Sequence, residues 1–209
     1  MSRYGKRLEG MTGAILAGGK ARRMGGNVKG LLAVGGVPIL DRVLERLRQC
    51  CNEILIVANE REPYESREEQ IYPDIFPGKG SLGGIYTALK AANTERIFVC
   101  ACDMPFVDVG LIRHLNRRIG DYDAIIPSDA RGLQPMHGLY RSRILPGLEA
   151  RLGADDLKVE HFIDSIHALI LDPEEVSSMD PLGIAFMNVN TPEDLLVANR
   201  WASRLIGDS

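Results

Sequence analysis

The sequence of 209 residues lacks any apolar run of the roughly 18 residues that a membrane-spanning helix requires. It also lacks a basic excess: 25 lysines and arginines stand against 28 aspartates and glutamates, which argues against a general nucleic-acid-binding protein. The first ten residues, MSRYGKRLEG, are polar and contain no apolar stretch typical of a secretory signal. We therefore expect a cytoplasmic protein without membrane or nucleic-acid partners. A local basic site for a nucleotide is compatible with this composition.

Metal-binding or redox-active cysteine motifs are also missing. The chain has Cys50, Cys51, Cys100 and Cys102, and neither pair has the C-x-x-C spacing of a zinc or redox site. Disulfides are rare in the cytosol. We interpret the four cysteines as small buried apolar residues.

The glycine-rich stretch GAILAGGKARRMGGNVKGLL, residues 13–32, matches neither of two common phosphate-binding motifs. It contains no G-x-x-x-x-G-K-[ST], and no G-x-G-x-x-G follows its apolar segment. Glycines nevertheless let backbone N–H groups approach a phosphate, and Lys20, Arg22, Arg23 and Lys29 can neutralise its charge. For an isolated glycine pair, an ordinary turn with exposed basic side chains is the simpler interpretation.

Apolar runs alternate with segments of helical periodicity from Thr12 onward. Strands are predicted at residues 14–17, 54–58, 97–101, 124–127, 168–171 and 185–189. Helices are predicted at residues 38–47, 61–70, 82–92, 108–119, 144–152 and 157–163, and a last helix follows Thr191 as its N-cap. This alternation predicts an α/β fold in which helices cover both faces of a mainly parallel sheet.

Domain boundaries follow from the same pattern. We expect a flexible tail over residues 1–11 and one domain over residues 12–209. Residues 132–179 interrupt the regular alternation, so we expect them to form a substrate-specific part of that domain.

Ligands of open α/β sheets bind at the carboxyl ends of the strands, and three such ends carry suggestive residues here, the glycine-rich stretch being the first. Asp103 follows an apolar strand, where a carboxylate can hold a hard cation such as Mg²⁺ or cap the next helix. Asn188 and Asn190 lie at another predicted strand end, where one can face a ligand while the other makes the turn into the last helix.

In combination, these motifs resemble a known family. LAGGKARRMGGNVKGLL, ANER, SLGGIYTAL, CDMPF, QPMHGLY and MNVNTPEDL are similar in order and spacing to the molybdenum cofactor guanylyltransferases. The similarity runs from about Thr12 to Leu196. That family belongs to the nucleotidyltransferases of glycosyltransferase-A-like fold. The resemblance thus implies a three-layer α/β/α sandwich with a mainly parallel, Rossmann-like mixed sheet.

The resemblance implies a Mg²⁺-dependent enzyme that transfers GMP from GTP to the phosphate of molybdopterin (Mo-molybdopterin). Pyrophosphate leaves, and the product is molybdopterin guanine dinucleotide. GTP and the molybdopterin cofactor would be its substrates, and residues 132–179 would shape the acceptor site. Transient contacts with other cofactor-biosynthesis proteins or with recipient molybdoenzymes are expected.

The resemblance also implies roles for individual residues. Arg23, Lys29 and Asp103 would be catalytic, with Arg23 and Lys29 on phosphates and Asp103 as the Mg²⁺ ligand. The nucleotide would contact Leu16, Ala17, Gly18, Gly19, Lys29, Asn59, Asp74 and Asp103. Asn188 and Asn190 would lie near the molybdopterin.

The chain departs from the family pattern at several positions. Val28 stands where an aspartate usually precedes the lysine, which removes a possible partner of Lys29. Ser81 replaces a loop proline, and Gln134 stands where a histidine often precedes the next proline. Three alternatives therefore stay open: a molybdopterin cytidylyltransferase, another nucleotidyltransferase for a small phosphorylated acceptor, and a GTP-binding partner without turnover.

Overall fold

The structure, a computed structural model, describes residues 10–18, 23–24 and 27–207. The strands are β1 (Met11–Leu16), β2 (Arg23–Met24), β3 (Asn27–Val28), β4 (Ala33–Val34), β5 (Val37–Pro38), β6 (Glu53–Val57), β7 (Gln70–Tyr72), β8 (Arg96–Ala101), β9 (Ala124–Asp129), β10 (Gly132–Leu133), β11 (His137–Arg141) and β12 (Ala168–Leu171). The helices are α1 (Ile39–Arg48), α2 (Gly80–Ala91), α3 (Val109–Arg118), α4 (Leu145–Gly153), α5 (Val159–Asp164), α6 (Pro173–Met179) and α7 (Pro192–Gly207). Short 3₁₀ turns span Lys29–Leu31, Glu62–Tyr64 and Ser142–Ile144.

The described residues form an eight-stranded mixed sheet in the order β10-β9-β11-β8-β1-β6-β7, with β12 paired to β9. β1 lies parallel to β6 and β8, and β7 and β12 also join in parallel. β11 is antiparallel to both β8 and β9. The predicted mainly parallel, mixed α/β sheet is therefore confirmed.

Helices cover both faces of this sheet, which gives the predicted three layers. Every residue of β1 is buried, and alternate residues enter opposite cores, Ile15 on one face and Ala14 on the other. The Ile15 face packs against α1, α3, α6 and α7, and the Ala14 face packs against α2, α4 and α5. A continuous apolar run such as residues 14–17 is what a strand buried on both faces requires.

Two predicted elements are wrong. Residues 61–70 do not form a helix; they contain the Glu62–Tyr64 turn and then enter β7. Tyr64 is buried while most of its neighbours are exposed, so this polar segment has no apolar face that would stabilise a helix. Residues 185–189 do not form a strand but a largely buried loop, whose Val189 N donates to Asp103 O just beyond the end of β8.

The structure also adds elements that the sequence did not predict. β11 inserts antiparallel between β8 and β9, and α6 begins at Pro173 with Asp172 as its N-cap. At the chain start, β1 begins at the buried Met11, one residue before the predicted domain boundary. Residues 1–9 of the predicted tail lie outside the described residues. No helix in the described part is both long and apolar enough to cross a bilayer.

Candidate active site

The carboxyl ends of the central parallel strands stay aligned beyond the strands themselves. Ala17 N donates to Val57 O at 2.9 Å, and Ala58 N donates to Tyr72 O at 2.9 Å. On the other side, Cys102 N donates to Leu16 O at 3.1 Å. The residues that follow β1, β6 and β8 are thereby held side by side, as expected for a ligand site of an α/β sheet.

Three predicted site residues meet at this edge although they are far apart in sequence. Lys29, which begins a 3₁₀ turn, is only 6% exposed, and its Nζ donates a hydrogen bond to Asn190 Oδ1. The same Nζ lies 3.7 Å from Asp103 Oδ2. The hydrogen bond from Val189 N to Asp103 O holds the loop that contains Asn188 and Asn190 against the end of β8. A buried lysine that has two oxygen neighbours is fixed in place.

The carboxyl group of Asp103 is mostly buried, and the described residues satisfy only part of its hydrogen bonding. Burial raises the pKa of its carboxyl group, and Lys29 opposes that shift. Its Oδ1 is buried and has no hydrogen-bond partner in the described part of the chain. An unpaired buried carboxylate oxygen needs a partner, which a hard cation or a donor from a ligand can supply.

The departure at Val28 does not leave Lys29 without an anion. Val28 is half-buried and packs against the apolar core on the α1 face. Asp103 and Asn190 supply the oxygens that Lys29 contacts. A carboxylate at position 28 is therefore not needed to hold this lysine.

Asn59 and Asp74 form a second cluster at the same edge. Asn59 Oδ1 accepts a hydrogen bond from Asp74 N at 2.9 Å. Asp74 Oδ1 accepts from Phe76 N at 3.1 Å and from the hydroxyl of Thr87 at 2.9 Å. The structure thus brings these two predicted residues together and adds Thr87, which the sequence reasoning missed. A threonine within the buried, mostly apolar run of α2 was the signal that could have indicated it.

The start of α2 lies close to the end of β1. A Cβ at Gly84 would lie 2.7 Å from Leu16 Cδ1, so only glycine fits without displacing that side chain. Leu16 and Ala17 are buried, and Gly18 is exposed. Because of this close approach, residues 16–18, whose backbone is predicted to contact the nucleotide, lie beside α2.

For the remaining predicted site residues, the described part of the chain shows no hydrogen bond to either cluster. Asn188 Nδ2 donates to Phe186 O at 3.2 Å, which is a contact within its own loop. Arg23 pairs with Val28 in the ribbon of β2 and β3, but its side chain lies outside the described part, as does Gly19. The roles of Arg23, Asn188 and Gly19 stay predictions.

Cys102, which directly precedes Asp103, is an unreactive thiol. All four cysteines lie in the described part and none forms a disulfide; Cys50, Cys51 and Cys100 are buried, and Cys102 is half-buried. Burial raises the pKa of Cys102 to about 12, with the neighbouring Asp103 acting in the same direction. A protonated thiol is a poor nucleophile and a poor metal ligand.

Comparison with known proteins adds to this geometry. The family model of the MobA-like NTP transferase domain matches residues 13–169. A curated relative from Carboxydothermus hydrogenoformans, a probable molybdenum cofactor guanylyltransferase, is 36% identical over 187 residues, which is 90% of this chain and 94% of that protein. A molybdenum cofactor guanylyltransferase from Desulfosudis oleivorans is 31% identical over 189 residues, with 90% and 94% covered.

The fold is likewise similar to a solved structure. Molybdopterin-guanine dinucleotide biosynthesis protein A from Archaeoglobus fulgidus superposes with a TM-score of 0.79 at 27% identity. The match covers 92% of this chain and 99% of that one.

Proposed function

Because the chain belongs to the family of MobA-like NTP transferases, we propose that it is a molybdenum cofactor guanylyltransferase. It transfers GMP from GTP to the phosphate of molybdopterin and releases pyrophosphate. The observation that carries this function is the similarity to guanylyltransferases at 31% and 36% identity over nine-tenths of the chain. The cluster of Lys29, Asp103 and Asn190 at the carboxyl end of the sheet supports it.

The chemistry needs few reactive groups. The attacking phosphate monoester is already ionised near neutral pH, so no general base has to remove a proton from it. The reaction instead needs the α-phosphate to be positioned and its developing charge to be neutralised. Lys29 suits this task because Asn190 and Asp103 hold its ammonium group in a fixed position before the substrate binds.

We propose that Asp103 holds the Mg²⁺ ion. The unpaired, buried Oδ1 fits a hard cation, and a bound cation would also offset the cost of burying this carboxylate. Among the described residues, no group of three or more histidine, cysteine, aspartate or glutamate side chains could bind a metal. Mg²⁺ commonly takes one or two carboxylates together with substrate phosphates and water. When bound, the ion would neutralise charge on the α-phosphate and on the leaving pyrophosphate.

The second cluster provides a place for the base. Guanine presents N1–H and N2–H donors side by side, and a carboxylate such as that of Asp74 can accept from them. Asn59, which follows β6, accepts a hydrogen bond from the backbone N–H of Asp74 and so holds the loop after β7 beside the end of β6. We propose that Asp74 contacts guanine.

The proposal includes a site for molybdopterin, the acceptor of the GMP group. Residues 132–179 contain β11, α4, α5, β12 and α6, and we propose that they shape the site for molybdopterin. Asn190 joins this side to Lys29. Because molybdopterin is labile, we also propose transient contacts with the proteins that supply or receive the cofactor.

Turnover tests the proposed function directly. The protein is incubated with Mg²⁺ and molybdopterin and with each of the four NTPs in turn, and pyrophosphate release is measured. Of the four NTPs, only GTP is expected to give pyrophosphate release. This release should stop when molybdopterin is omitted or Mg²⁺ is chelated. Release with CTP alone would replace guanylyl by cytidylyl transfer. No release with any NTP, despite tight GTP binding, would favour a binding partner without turnover.

A further inference from the structure

We infer that Thr87 is a positioning residue that orients Asp74 for the recognition of guanine, an inference that rests on the proposed function. Thr87 lies in the middle of α2 and is 1% exposed, among buried apolar neighbours of the same helix. A buried hydroxyl there costs free energy unless its hydrogen bonds are made. Its partners indicate what it does.

Thr87 makes hydrogen bonds to two residues of the loop that contains Asp74. Its Oγ1 accepts from Ile75 N at 2.9 Å. The same atom lies 2.9 Å from Asp74 Oδ1 and 3.0 Å from Gly83 O, and the hydroxyl has one proton to donate. Donation to the ionised carboxylate is the stronger choice because charge assists that hydrogen bond. Thr87 therefore holds both the backbone and the side chain of the loop.

The two oxygens of Asp74 have different environments as a result. In the part of the chain that the structure describes, the donors that reach this carboxylate are Phe76 N and the Thr87 hydroxyl, and both bind Oδ1. Asn59 holds the residue from the other side through its backbone N–H. With Oδ1 engaged, Oδ2 is the oxygen left to accept a hydrogen bond from a ligand.

This arrangement predicts that the protein prefers GTP over ITP. A carboxylate anchored through Oδ1 presents Oδ2 in one orientation and can favour the N2 amine of guanine over hypoxanthine, which lacks that amine. If the Thr87 hydroxyl is removed, Asp74 loses one anchor and Ile75 N loses its acceptor. The preference for GTP over ITP should then fall, while the phosphate-binding cluster around Lys29 is unchanged.

The experiment compares Thr87→Val, which keeps the shape of the side chain, with Thr87→Ser, which keeps the hydroxyl. Thr12→Val is the matched control, because Thr12 is also fully buried and its hydroxyl also binds a carboxylate, that of Glu53 at 2.6 Å. That pair lies at the amino end of the sheet, away from the site. Thr87→Ala is measured in parallel, so that the test does not depend on how one variant folds.

The measurements are kcat and KM for GTP and for ITP with molybdopterin as acceptor, together with the Tm of each variant. For Thr87→Val and Thr87→Ala we expect KM for GTP to rise and the GTP-to-ITP ratio of kcat/KM to fall, each by about tenfold, the size expected from one hydrogen bond to a charged group. Thr87→Ser should restore both values. Thr12→Val should lower Tm to a similar extent and leave both values unchanged.

Two different failures are distinguishable. If the wild-type protein does not turn over GTP, the proposed function is wrong, and the inference is wrong with it. If the wild type is active and the folded Thr87 variants keep the GTP-to-ITP ratio within twofold, only the inference is overturned. An equal loss of kcat/KM for GTP and ITP would also overturn it, because Thr87 would then act on the fold and not on the base.

Discussion

His137 should make the protein acid-sensitive in a way that one substitution removes. This residue of β11 is fully buried, and its imidazole lies edge-on to the rings of Phe98 and Phe186, with both centroids 5.0 Å away. Neither ring nitrogen has a hydrogen-bond partner in the described part of the chain. Burial lowers the pKa of His137 to about 3, against an ordinary value of 6.5.

The sign and size of the effect follow from this pKa. Below pH 6.5 the unfolded chain binds a proton at this histidine while the folded chain does not, so acid favours the unfolded state. Stability is therefore fully present above pH 6.5 and is lost as the pH falls toward 3. Each pH unit in this window costs about 1.4 kcal/mol, so the loss is about 2 kcal/mol at pH 5. That is a large fraction of the 5–15 kcal/mol that stabilises typical domains.

The assay is urea unfolding at pH 7.5 and pH 5.0 for the wild type and for His137→Leu. The wild type should lose about 2 kcal/mol more than the variant between these pH values. At pH 7.5 the variant should be at least as stable, because leucine leaves no unpaired buried nitrogen. His161→Gln controls for the replacement of a histidine at a half-exposed position. Equal losses for the wild type and His137→Leu would refute this reasoning.

Two further predictions concern the proposed metal ligand and the packing of α2 against β1. Asp103→Asn should reduce Mg²⁺-dependent pyrophosphate release by at least about 100-fold while Tm stays equal or rises, because the buried charge is removed; unchanged turnover would exclude Asp103 from the site. Gly84→Ala should lower the free energy of unfolding by about 1–3 kcal/mol in a denaturant titration, because its Cβ would lie 2.7 Å from Leu16 Cδ1. Gly147→Ala, at an exposed helical position with open space around it, should instead raise stability by about 0.5–1 kcal/mol. Equal effects of the two alanines would show that Leu16 adapts without cost.

The sequence alone predicted the architecture well because local patterns report burial. The apolar run at residues 14–17 predicted a strand buried on both faces, and β1 has that environment. The helical spacing at residues 38–47 predicted α1, and Thr191 caps α7 by accepting from Asp194 N at 3.1 Å. The same method failed at residues 185–189, where an apolar run is buried in a loop. Local hydrophobicity reports burial but not the strand pairing that β structure needs.

The candidate site, in contrast to the architecture, depends mainly on tertiary contacts. The sequence indicated Lys29 as one of four basic residues near the glycine pair and Asp103 as a carboxylate at a strand end, and the motif resemblance then gave each a specific role. It also raised a doubt about Lys29 because Val28 is not a carboxylate. The fold removes the structural part of that doubt, since Lys29 Nζ binds Asn190 Oδ1 across 161 residues of chain and lies near Asp103. Only the meeting of three separate loops at one edge of the sheet creates these contacts.

The contact between Thr87 and Asp74 is likewise tertiary. Helical periodicity placed Thr87 on a buried helix, where a hydroxyl has no evident purpose. Its hydrogen bonds depend on how a loop 13 residues earlier packs against that helix. The sequence by itself therefore determined the layers and most of the elements, because each depends on the burial pattern of one segment. The tertiary structure decided which polar atoms pair, because hydrogen bonds act over about 3 Å between segments that the chain order leaves far apart.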